Sequence, residues 1–165
     1  MKTLFAIDKR LNTVVIVMTE LLLAAMFGIT IANVLLRKAF EINILWAYDV
    51  LRALFVGFVF FAASVVTYRR EHANFVFVLE KLPLKGQHLF QAFSNIVAAV
   101  FYGVVGYYGY HVCVNVFGQK MPASGISATL LYVLMEAAMI IMALHCLIAA
   151  LDYFMKMKEE GKEAQ

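Results

Sequence analysis

The chain has 165 residues, 64% hydrophobic and 15% charged, with a net charge of +3 and a mean hydropathy of +0.82. A soluble domain of this size needs more polar surface, so the composition indicates a membrane protein and leaves no stretch for a separate catalytic domain. The two cysteines, Cys113 and Cys146, form no Cys-x-x-Cys pair, which argues against a disulfide relay.

Residues 1–12 carry Lys2, Lys9 and Arg10, and an apolar run over 13–36 follows. About 24 residues is too long for the apolar core of a cleaved signal peptide, roughly 7–15 residues, and long enough to span a bilayer. The run is read as an uncleaved first transmembrane helix. Ala24, Gly28 and Ala32 recur every four residues, a smooth stripe that allows close approach of another helix. Small residues are also simply common in membrane helices. Arg37, Lys38 and Glu41 mark the first loop. The second span is 46–67, opened by Trp46 and Tyr48, whose amphipathic rings suit the membrane–water interface, and closed by Arg69 and Arg70.

Residues 73–82 are too few to span. On a helix, Phe75, Val78, Leu79 and Leu82 share one face, which predicts a short amphipathic helix lying in the interface just after His72. The alternative is a buried loop or an extension of a neighbouring helix. Pro83 and Gly86 then break the chain. The third span lies within 88–117, with Gly103, Gly106 and Gly109 as a second smooth strip flanked by Tyr102, Tyr107, Tyr108 and Tyr110. The fourth runs over 126–154. The expectation is thus an all-α membrane protein: a single four-helix transmembrane domain over 1–155, then a charged, frayed tail over 156–165.

Orientation follows from the basic residues. Lys2, Lys9, Arg10, Arg69, Arg70, Lys81, Lys85, Lys156, Lys158 and Lys162 fall on one side; only Arg37, Lys38 and Lys120 fall on the other. The bias predicts both termini in the cytoplasm.

Charged and titratable groups within membrane spans are costly and normally have a role; here they are Glu20, Asp49, Arg52, His111, Glu136 and His145. A haem held between histidines needs two ligands at nearly equal depth. At about 1.5 Å rise per residue, His111 lies roughly 12 Å to one side of the midplane and His145 roughly 7–8 Å to the other. Glu20, the lone acid of the first span, is the proton site of a small proton-coupled exporter if the chain is one. It lies about 7 Å to the cytoplasmic side, level with His145, so a Glu20–His145 polar bridge is expected. No His-x-x-His, Glu-x-x-His, cysteine cluster or phosphate-binding loop occurs, and no cofactor, metal or nucleic-acid partner is expected.

Arg52 lies about 7 Å and Glu136 about 6 Å to the periplasmic side of their midplanes, and Asp49 is one turn from Arg52. Arginine offers up to five donor hydrogens. Three readings stand side by side: a buried cluster of Asp49, Arg52 and Glu136; a surface on which Arg52, with Asp49 beside it, meets another subunit; or an Arg52 that snorkels to water.

Trp46, Asp49 and Arg52 entering the second span, Ala62-Ala63-Ser64 late in it, Arg69-Arg70, His72 and Leu82-Pro83 together resemble the small membrane subunit (Q subunit, DctQ-like) of tripartite ATP-independent periplasmic, or TRAP, transporters. Asp49 stands where that family more usually has glutamate, and Glu136 where a neutral residue is expected. The resemblance implies no enzyme but a component of a sodium-coupled transporter in a bacterial or archaeal cytoplasmic membrane. Its implied partners are a large membrane subunit, whose scaffold it braces, a periplasmic binding protein that delivers a carboxylate, and the lipid bilayer. The alternative class is a membrane anchor for a redox enzyme.

Overall fold

The computed structural model describes residues 2–42, 44–69 and 84–163. Among them four helices form: α1 (Lys2–Phe40), α2 (Leu45–Tyr68), α3 (Leu84–Asn115) and α4 (Thr129–Glu163). All four are long and apolar enough to cross a membrane. The amphipathic segment expected over 73–82, with His72, Phe75, Val78, Leu79 and Leu82, lies outside the described residues.

The helices outrun the apolar stretches that announce them. With 39 residues, α1 is about 58 Å long, and α4, with 35, about 52 Å. A hydrocarbon core is about 30 Å thick, so both helices extend well past it. Hydropathy marks where a helix meets lipid. It does not mark where the helix ends, because lysine, glutamate and arginine propagate a helix well in water. Hence α1 starts at Lys2 rather than near 13, and α4 continues to Glu163 where a frayed tail was expected. The far end of α1 has Arg37 and Lys38 in its last turn, where cations complement the helix dipole. Glu41 follows with φ of 57°, the left-handed conformation that commonly stops a helix.

The helices pack as a row. α2 lies between α1 and α4, α1 touches α4 only over a short stretch, and α3 lies along α4, with Tyr102 reaching Thr67 of α2. Val15, Phe61 and Ala138 form the centre of the core, with Leu22, Phe60, Val65, Leu134, Ala137 and Ile141 around them. The inward face of α2 is built of small residues at Ala47, Ala53, Gly57 and Ser64, with Phe61 the large exception. At Gly57 a Cβ atom would sit 3.2 Å from Leu134 Cδ1 and 3.5 Å from Leu22 Cδ1. This glycine marks the level at which α1 and α4 converge on α2, the close approach that small residues permit in lipid. The stripe Ala24, Gly28, Ala32 is exposed, and nothing lies within 4 Å of a Cβ on Gly28. None of the described helices occupies it.

The α3–α4 loop is short and internally bonded. Met121 N–H donates to Ile126 O at 2.8 Å, Ala128 N–H to Gln119 O at 2.9 Å, and Gly125 N–H to Met121 O at 3.0 Å. Gly125, at φ +68°, supplies the left-handed residue that this tight reversal needs.

Candidate functional site

Polar chemistry collects at three places: the loop end of the row, the α3–α4 seam, and the opposite end where α1 begins.

At the loop end, Asp49 sits in the second turn of α2. Its Oδ2 accepts hydrogen bonds from the backbone N–H groups of Ala123 (3.0 Å) and Ser124 (2.9 Å). Two otherwise unpaired loop donors are satisfied by one carboxylate, and such charge-assisted bonds are roughly twice as strong as neutral ones. Met121, nearly buried, turns inward beside the same aspartate, and a nook of about 70 Å³ remains between Val50, Leu54, Met121, Ile126 and Leu134. Asp49 therefore fastens the start of α2 to the loop that leads into α4.

Arg52 lies one turn further along α2. It is exposed, on a face with Tyr48, Phe55 and Val59, and makes no ion pair among the described residues. Trp46 is exposed at the start of the helix. The expected internal cluster of Asp49, Arg52 and Glu136 does not assemble. Gly57 meets Leu134 and Phe61 packs with Ala138, so Arg52 is level with the start of α4, about 10 Å along the axis from Glu136, and the two also differ in direction. α4 turns Leu134, Ala137, Ala138 and Ile141 toward the core shared with α1 and α2, and Glu136 toward α3.

Glu136 fills the seam between α3 and α4. Its carboxyl rests over Gly106 and Gly109: a Cβ on Gly106 would lie 3.0 Å from Oε1, and one on Gly109 would collide with Oε2. The glycine strip visible in the sequence is thus partly a notch for this side chain. Oε2 is buried and has no hydrogen-bond partner among the described residues.

At the opposite end, His145 is 2% exposed and its Nδ1 lies 2.5 Å from Asp8 Oδ1, with Asp8 itself 9% exposed. Tyr68 at the end of α2 stands edge-on to the imidazole, with ring centroids 5.3 Å apart. Three helices meet on this one histidine. The bridge expected between Glu20 and His145 is corrected: Glu20 is exposed, and the partner is Asp8. The reason is the true start of α1. Taking the helix from residue 13 placed Glu20 level with His145, whereas the matching residue lies twelve positions earlier, about 18 Å along the axis. A signal for Asp8 was present. Asp8, Asn12, Val15, Thr19, Leu22, Met26, Ile29 and Asn33 follow alternating spacings of four and three, and all are buried or half-buried. That is the seam of a helix packed at coiled-coil angles, and it runs back through the charged N-terminal residues.

The remaining candidates stay apart. His111 packs edge-on against Tyr107 near the end of α3, with centroids 5.0 Å apart. Cys113 and Cys146 are free thiols. Among the described residues no group of three His, Cys, Asp or Glu side chains is placed to hold a metal ion.

The arrangement defines a multi-pass helical membrane protein whose buried polar groups join its own helices at their ends and seams. Over residues 26–154 the sequence matches a family model described as tripartite ATP-independent periplasmic transporters, DctQ component. The chain belongs to that family, the small membrane component of TRAP transporters, which works with a large membrane subunit and a periplasmic binding protein. Comparison with curated proteins returned no match. The matched region contains Trp46, Asp49, Arg52, Glu136 and His145; Asp8 and Lys9 precede it.

Proposed function

We propose that this chain braces the immobile scaffold of the large membrane subunit in a sodium-coupled TRAP transporter, taking up a carboxylate delivered by the periplasmic binding protein. It does so from the cytoplasmic membrane with both termini in the cytoplasm. The observation that carries this reading is the outer face of α2, where Arg52 stands exposed among Tyr48, Phe55 and Val59 with no ion-pair partner among the described residues. A guanidinium set into an apolar stripe at membrane depth calls for acceptors from a neighbouring protein. Trp46, Asp49, Arg52 and Glu136 accordingly divide their roles: Trp46 and Arg52 face outward to the large subunit, while Asp49 and Glu136 hold the shape of the face that carries them. The described helices are continuous, without the broken segments from which transporters build substrate sites, in keeping with a supporting role.

Reconstitution tests this. The chain alone in proteoliposomes moves no carboxylate, and the chain with its large subunit and binding protein supports sodium-driven uptake. Uptake by the chain alone refutes the bracing role.

A further inference from the structure

We propose that the cleft beside the Asp8–His145 pair binds an anionic phosphate group. The cleft has a volume of about 400 Å³ and is lined by Phe5, Asp8, Lys9, Tyr68, Arg69 and His145, with Ala149 closing its α4 side. This volume falls within the range of about 300–1,000 Å³ typical of small-ligand sites.

The charge of the cleft is positive. Lys9 and Arg69 are both exposed and neither has an ion-pair partner among the described residues. The one acid, Asp8, is already engaged by His145. With the imidazole neutral, one carboxylate faces two cations; with it protonated, the Asp8–His145 pair is neutral and both cations remain. The sign is the same in either state. Arginine and lysine converging from two helices suit phosphate oxygens, the arginine through its planar fork and the lysine as a point charge.

Position narrows the source. Lys9 lies four residues before the apolar run of α1, and Arg69 directly follows the last turn of α2. Both therefore stand at the membrane–water boundary, the depth of lipid headgroups. Phe5 and Tyr68 add apolar wall of the kind a glycerol backbone lies against. A phospholipid headgroup and soluble phosphate share the chemistry, and the experiment separates them.

The full chain in detergent is titrated with phosphatidylglycerol and with phosphatidylcholine, and bound lipid is counted by native mass spectrometry. Phosphatidylglycerol is expected to bind about tenfold tighter. The double variant Lys9→Gln/Arg69→Gln removes two exposed charges without touching the core and should bring the two lipids to near equality. Lys120→Gln, at the other end of the row, should leave the preference intact. Equal binding of both lipids by the unaltered chain overturns the proposal, as does an undiminished preference in the double variant. Added inorganic phosphate identifies the source: displacement of phosphatidylglycerol at cytoplasmic phosphate levels assigns the site to soluble phosphate, and retention assigns it to the lipid.

Discussion

The two ends of the row are each tied by an aspartate, and they are tied differently. Asp49 holds backbone N–H groups of a loop at the edge of the protein. Asp8 holds a side chain, His145, that is almost wholly enclosed. Water can replace what Asp49 provides more readily than what Asp8 provides, because His145 is only 2% exposed. The first contact arranges a loop, whereas the second joins two helices that otherwise meet only briefly.

The largest effect should come from the enclosed pair. Asp8→Ala takes the carboxylate away from an imidazole that stays buried, and should cost roughly 3 kcal/mol, read as a lower unfolding temperature of the detergent-solubilised chain. Joint replacement with His145→Leu should cost less than the sum of the single changes. Strict additivity would show that the two side chains do not depend on each other, and the contrast between the ends would fail.

The seam between the ends comes next. Gly109→Val drives a side chain into the space held by the Glu136 carboxyl and should cost about 1–3 kcal/mol. Adding Glu136→Ala should recover part of that loss. If it does not, the notch is incidental.

Asp49→Ala should act more locally. Amide exchange at Ala123 and Ser124 should accelerate while α1, α2 and α4 keep their protection. Global loss of protection would place this contact on a par with the enclosed pair.

Arg52→Gln should leave the isolated chain within about 0.5 kcal/mol of its original stability and weaken co-purification with the large subunit. A marked loss of stability in the isolated chain would return Arg52 to an internal role.

Helix number and rough placement were legible because apolar runs of membrane length permit little else. Helix ends were not, since the residues that leave the membrane at Lys2–Asn12 and beyond Phe154 are good helix formers. That error in α1 carried straight into the assignment of Glu20 in place of Asp8. The Arg52–Glu136 pairing failed for two other reasons: the register of α2 on α4 separates the two by about two turns, and azimuth depends on which face of α4 each neighbour takes. Gly103, Gly106 and Gly109 were recognised as a smooth strip. What fills part of it, Glu136, became visible only once α3 and α4 lay side by side.

The row order also decides how disturbance travels. Along the backbone α3 lies against α4 alone among the described helices, and its one further tie is the side chain of Tyr102, which meets Thr67 of α2. Drawn as a network of backbone packing, α4 is a cut vertex: sever its contacts and α3 is left joined to α1 and α2 by that one side chain. A displacement of α3 is taken up first by α4 and passes on to α1 by two routes, the Asp8–His145 contact and the core that α2 shares with both helices.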